Sequence, residues 1–145
     1  MKKLLTTAAV LAALTAQASA TEWYAAGQNY DSLARNPTAY SGKIVSFRGK
    51  VIQSVQTGQD YVLRVSVTMG EYNIWKDTVY VEYRASSSST SRIVEDDIID
   101  FRGRFVGIKS YTAVLGQTIQ IPHIIACEVH PQTSIRVLRA PQPCD

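Results

Sequence analysis

From residue 43 onward the chain alternates apolar and polar side chains with the period of two that a strand requires. Val45, Phe47 and Val51 form one face of a first strand and Ser46, Arg48 and Lys50 the other, with a change of phase open at Gly49. Thr57-Gly58-Gln59-Asp60 has the composition of a turn. A second strand then points Tyr61, Leu63, Val65 and Val67 inward and Arg64, Ser66 and Thr68 outward. Met69 to Lys76 reads as a loop carrying Tyr72 and Trp75, and a third strand, Asp77 to Arg84, turns Val79, Val81 and Tyr83 inward and Tyr80, Glu82 and Arg84 outward. The polar run Ala85-Ser86-Ser87-Ser88-Ser89-Thr90-Ser91 reads as a mobile connection. A fourth strand from Ile98 to Ile108 sets Ile99, Phe101 and Phe105 inward around Gly103, and Lys109 to Gly116 follows as a loop. Thr118 to Val129 is a fifth strand with Pro122 in it, which favours an edge or a bulge. Its Ile119, Ile121, Ile124 and Ile125 occupy both parities, so its buried face stays open. Upstream the periodicity is absent. There Asp31 can cap a short helix through Ser32-Leu33-Ala34-Arg35 that Asn36-Pro37 stops, since a residue before proline avoids the helical region.

One pattern occurs twice, as Val45-Ser46-Phe47-Arg48-Gly49-Lys50-Val51 and Ile99-Asp100-Phe101-Arg102-Gly103-Arg104-Phe105. Glycine within a strand is unfavourable unless the backbone bends, bulges or is closely approached. Five strands, a long third-to-fourth connection and glycines in the first and fourth are the inventory of a mainly β, five-stranded OB-fold Greek-key barrel, here with a short N-terminal helix. Tyr40-Ser41-Gly42-Lys43, Phe47-Arg48-Gly49-Lys50-Val51, Val79-Tyr80-Val81-Glu82-Tyr83, Glu95-Asp96-Asp97-Ile98 and Tyr111-Thr112-Ala113-Val114-Leu115-Gly116 carry a further likeness. With them the chain resembles the tRNA-anti-like OB domains of exported bacterial proteins and lipoproteins, over roughly Asp31 to His130. The resemblance implies the barrel and a binding rather than a catalytic role. A serine run stands where many OB-folds carry a helix, and the lipid-anchoring cysteine of lipoprotein members is missing. The family is named for anticodon binding, but an exported protein would not meet tRNA, so that activity is not carried over.

Composition places the barrel in a compartment. Lys2 and Lys3, the apolar run from Leu4 to Leu14 and Ala18-Ser19-Ala20 are the three parts of a secretory signal peptide. Cleavage after Ala20 is expected to leave a periplasmic or secreted chain with 13 basic residues against 12 acidic, and no second stretch that could span a bilayer. Bulk charge therefore selects no partner, and a nucleic-acid role must rest on local clustering. Cys127 and Cys144, an even count in an exported chain, are expected to form a disulfide tying the tail to the last strand. The expected organisation is a signal peptide at 1–20, an N-terminal segment with a short helix at 21–42, the barrel at 43–130 and a disulfide-tied tail at 131–145.

The candidate chemistry lies on the outward strand faces. Arg48, Lys50, Arg64, Arg102 and Arg104 face out with Tyr80, and Tyr111 joins them from the fourth-to-fifth loop. Arginine suits bidentate contact with phosphate, sulfate or carboxylate, and tyrosine offers a stacking face. OB-folds bind across strands two and three, between the loops joining strands one and two and strands four and five; here those loops are Gln56 to Gln59 and Lys109 to Gly116. The ordinary alternative is a solvated face balanced by Glu82 and Asp100. Tyr72 and Trp75 are candidate anchors for a protein partner, or a cap over the barrel end. Glu95, Asp96, Asp97 and Asp100 lack the spacing and glycine of a calcium loop, and His123 and His130 have no ligand-spaced partners, so no metal and no cofactor are expected. No Gly-x-Ser-x-Gly elbow, His-Glu-x-x-His or phosphate-binding glycine loop occurs, which argues against an enzyme. Two functions remain: an exported, non-catalytic module for an anionic or sugar-containing polymer, nucleic acid included, or a protein-interaction module serving an envelope protein.

Overall fold

A computed structural model of the chain describes residues 29–86, 92–132 and Cys144; the expected signal peptide, most of the serine run and most of the tail lie outside them. Two short helices, α1 (Tyr30–Arg35) and α2 (Pro37–Tyr40), precede five strands: β1 (Ile44–Thr57), β2 (Asp60–Met69), β3 (Trp75–Arg84), β4 (Ile98–Thr112) and β5 (Thr118–Pro131). They close in the order β1-β2-β3-β5-β4, which is the OB-fold barrel. Every neighbouring pair is antiparallel except β3 and β5, which meet in parallel over Tyr80–Tyr83 and His123–Ala126.

The repeated pattern is what closes the barrel. Its two copies pair with each other, Phe47 directly opposite Phe101, so that Gly49 lies opposite Ile99 and Gly103 opposite Val45. The two rings pack in the interior at a centroid distance of 5.9 Å. Neither glycine is a left-handed residue; both permit close approach. A Cβ on Gly49 would sit 2.5 Å from the carbonyl oxygen of Ser66 on β2, and one on Gly103 2.4 Å from that of Ile125 on β5. The change of phase in β1 falls not at Gly49 but between Val51 and Gln53, where the strand has left β4 for β2.

Inward positions match the alternation of the sequence: Val45, Leu63, Val65, Val79, Val81, Ile99, Phe101 and Phe105 are fully buried. On β5 the open question is settled by its partner. β4 shifts register at Arg102/Gly103 and again at Phe105/Gly107, so β5 buries Ile121, Ile124, Ala126 and Val129 and leaves Ile125 exposed. Pro122 is fully buried but pairs with Ile108 of β4 just before β5 meets β3, so its missing N–H faces no third strand. Leu33 of α1 and Ile93 before β4 join the same core from different parts of the barrel. α1 leads through α2 into the start of β1, whereas the Ile93 carbonyl accepts from Ser54 Oγ in its second half.

Four local expectations change. The cap of α1 is Asn29, whose side chain accepts from Ser32 N at 2.9 Å; Asp31 sits in the first turn, where its charge suits the helix dipole. α1 does end at Arg35, but Pro37 starts α2 as its first residue, a position that needs no N–H. β4 and β5 run on as a hairpin arm, from Gly107 opposite His123 to Thr112 opposite Thr118, so Lys109 and Tyr111 are strand residues rather than loop residues. Trp75 likewise begins β3, opposite Met69.

Because backbone atoms cannot yield as a side-chain tip can, Gly49→Ala and Gly103→Ala should each cost roughly 3 kcal/mol in urea unfolding. Gly58→Ala, at φ +62 in an open turn with nothing within 4 Å, should cost only about 1 kcal/mol. Equal midpoints for all three variants would show that the close approaches are not what fixes the barrel.

Candidate ligand-binding face

The residues of the expected site divide between two walls of the barrel. Arg48, Lys50, Arg102 and Arg104 share the outer side of β1 and β4, as the pairing of the two copies dictates. Three of the four direct their polar ends at protein groups. Arg48 donates through Nε and Nη2 to the two oxygens of Asp100 at 2.8 and 3.0 Å, and Gln132 donates to the same carboxylate. Lys50 Nζ lies 2.9 Å from Asp96. Arg104 donates to the carbonyls of Gly42 at 2.8 Å and Cys144 at 2.7 Å, and so joins the α2–β1 turn to the end of the tail. Arg102 sits in the ladder between Ser46 and Glu128. The acidic run before β4 is spent locally as well, with Asp97 accepting from Val94 N at 2.9 Å.

Arg64, Tyr80 and Tyr111 come together on the opposite wall. Arg64 and Tyr80 are cross-strand partners on the outer side of β2 and β3, and Tyr80 pairs in turn with His123 of β5. Val106 is the extra residue at the β4 register shift, and beyond it Gly107, at φ +130, turns the arm. The arm crosses the outer face of β2 and β3, putting the Arg64 guanidinium 5.2 Å from the centre of the Tyr111 ring and Lys109 Nζ 4.4 Å from that of Tyr80. His123 and Tyr80 form a T-shaped pair with 5.2 Å between ring centres. Glu82 brings a carboxylate to this face, 3.8 Å from Lys109 Nζ and 3.3 Å from His123 Nε2.

Hydrogen bonding on this face is incomplete. Arg64 Nε and Tyr111 Oη are buried and hydrogen-bond no group among the described residues, while His123 Nε2 lies 3.3 Å from a Glu82 oxygen. Buried polar atoms are nearly always satisfied in folded proteins, so these two donors mark a place that water or a polar group of a ligand would complete. Lys109 and His123 escape the sequence reading because neither has a sequence neighbour of like chemistry. The alternation of Gly107, Lys109 and Tyr111 against Ile108 and Ser110 is the one signal that could have placed Lys109 beside Tyr111.

The candidate anchors lie at the β2–β3 turn, where Glu71 and Ile74 are joined by an N–H to carbonyl bond of 3.1 Å. Tyr72 and Asn73 both adopt left-handed backbone there, at φ 56 and φ 59, in a type I′ geometry that suits asparagine and strains tyrosine. Tyr72 is 91% exposed. Trp75 is half-buried at the start of β3. Cys127 and Cys144 form a disulfide with their Cα atoms 5.3 Å apart. Among the described residues no three His, Cys, Asp or Glu side chains group as metal ligands, and no helix is long and apolar enough to cross a membrane.

Burial pushes the His123 imidazole below its ordinary value of 6.5; Glu82 opposes that shift and Lys109 reinforces it. The unfolded chain therefore takes up a proton before the folded one as pH falls. The contribution of His123 to stability is complete above about 6.5 and declines below it. Urea unfolding at pH 7.5 and at pH 5 should show that decline, and His123→Gln should reduce it; an unchanged pH dependence in the variant would remove His123 as its source.

No family model matches the chain, and none of the curated proteins does. Among solved structures it is similar to a chain described as an aspartyl-tRNA synthetase from Leishmania major Friedlin, with TM-score 0.48 and 16% identity, covering 74% of this chain and 21% of that one. It is also similar to aspartyl-tRNA synthetase from Entamoeba histolytica, with TM-score 0.46 and 16% identity, covering 78% of this chain and 23% of that one. The chain thus spans about a fifth of the length of either, and neither match adds to what the strand order already shows.

Proposed function

We propose that the protein is a non-catalytic binding module for an anionic polymer, and that its site is the outer face of β2, β3 and β5 beneath the arm. One observation carries the reading: two cations, Arg64 and Lys109, stand on two tyrosines beside buried polar atoms that lack hydrogen-bond partners. A guanidinium backed by a ring keeps its outer donors free for an oxyanion. The four cations of the β1–β4 wall stand outside this site, because their charge is met by Asp100, Asp96 and backbone carbonyls or, for Arg102, faces Glu128 across the ladder.

The test is a titration of the protein with a fluorescent sulfated polysaccharide over a salt series. Binding should weaken with salt with a slope of about −1.4 for two cations, using the single-strand coefficient. It should be lost in the Arg64→Glu, Lys109→Glu double variant and strengthened in Glu82→Gln, which removes the opposing carboxylate. If neither this polysaccharide nor a phosphodiester chain binds at low salt, or if binding survives the double variant, the reading is overturned.

A second reading is a protein-interaction module anchored at the β2–β3 turn. It is favoured by Tyr72, an almost fully exposed aromatic held in a strained backbone conformation. Under it Tyr72→Ala, and not the Arg64/Lys109 exchange, abolishes capture of an envelope protein.

The compartment belongs to the same proposal. The signal-peptide pattern over residues 1–20, the resemblance to OB domains of exported bacterial proteins and the Cys127–Cys144 bridge support a periplasmic or secreted protein. Expressed with its leader in a bacterium, the protein should be recovered from periplasm or medium with Thr21 as its first residue and no free thiol by intact mass. An uncleaved, reduced chain in the cytoplasm would count against export.

A further inference from the structure

We infer that this face reads the charge of its ligand and not its bases: it binds closely spaced oxyanions on a polymer backbone and gains little from stacking. The inference rests on the site proposed above and narrows its ligand class.

OB-folds that bind single-stranded nucleic acid do so by combining a positive groove with aromatic rings on which bases stack. Here the rings are present but employed. Lys109 Nζ stands 4.4 Å from the centre of Tyr80 and the Arg64 guanidinium 5.2 Å from that of Tyr111. His123 packs against Tyr80 in a T-shaped pair at an interplanar angle of 83°. A base seeking the covered faces has to displace a cation, and the cation–ring contact given up offsets much of what stacking would gain. The exchange also moves the very charge that attracts the phosphate.

The unsatisfied atoms point the same way. Arg64 Nε and Tyr111 Oη are donors, and an oxyanion offers two or three acceptor oxygens where a base offers a planar edge of mixed donors and acceptors. Glu82 also stands 3.8 Å from Lys109 Nζ, so both ring and carboxylate attract the ammonium. The tyrosines are therefore platforms for cations, and their removal should weaken every polyanion alike.

The experiment uses the oxidised protein and two labelled phosphodiester chains of about 12 nucleotides, a length within the footprint of one OB domain. One is oligothymidylate and the other is its abasic counterpart with the same number of phosphates; a sulfated polysaccharide of similar charge competes against both. The two chains should bind within about threefold of each other, the sulfated chain should displace both, and Tyr80→Leu with Tyr111→Leu should weaken them equally. Oligothymidylate binding tenfold or more tightly than the abasic chain, or losing affinity alone in the tyrosine variants, would overturn the inference and leave the site standing as a nucleic-acid site. Failure of the sulfated chain to compete would overturn it in favour of a phosphate-specific site. If none of the three binds at low salt, the proposed site itself fails and the inference with it.

Discussion

The barrel depends on two backbone contacts that admit no side chain. β1 must leave β4 and join β2 within a few residues, and β4 must pass close over β5. At the first crossing the space is Gly49's, against Ser66, and at the second it is Gly103's, against Ile125 and Ala126. The repeated pattern meets both needs with one device, since antiparallel pairing about Phe47 and Phe101 puts each glycine across from a β-branched residue of the other copy. Ile99 and Val45, both fully buried, stand across from the glycines in the core. The same pairing fixes the outer surface: with Phe47 and Phe101 turned in, Arg48 and Asp100 are brought face to face outside and hold each other.

The arm follows from a smaller irregularity. One extra residue at Val106 and the turn at Gly107 take the end of β4 out of line with β1 and swing Lys109 and Tyr111 across β2 and β3. A straight hairpin would leave Arg64 and Tyr80 as an open patch of one cation and one ring. The bent one assembles two cation–ring pairs with His123 and Glu82 between them. Bulges are found beside functional sites for this reason, because they re-aim side chains that regular pleating would send elsewhere.

Most of the architecture was legible in the residues. Strand faces follow from alternation, and the fold follows from the number of strands, the long connection and the glycines. Arg64 and Tyr80 could be placed on one outer wall because both strands keep strict parity there. Elsewhere the limits are physical. Parity fails at a register shift, and the two shifts between β4 and β5, one with its extra residue at Cys127 and one at Val106, hid both the buried face of β5 and the partnership of Lys109 with Tyr80. Reading Arg48, Lys50, Arg102 and Arg104 as one surface was geometrically sound, and Asp100 was legible as a balancing charge, but which cation it meets depends on the register of the opposing strand. The cap of α1 was misplaced by two residues because Asn29 and Asp31 are both good caps, and only the path of the backbone chooses between them.

The seam at which the barrel closes is its shortest join. β3 and β5 pair only along Tyr80–Tyr83 and His123–Ala126, while each makes a long ladder with its other neighbour. Tyr80, Glu82 and His123 stand on that seam, with Arg64 to one side of it and the arm to the other. A polymer laid from Arg64 to Lys109 would cross the join as a stitch crosses the edges of a cloth. Its grip and the closure of the sheet would then be a single mechanical act, and a chain pulled along the face would load the barrel across its weakest line rather than along its strands.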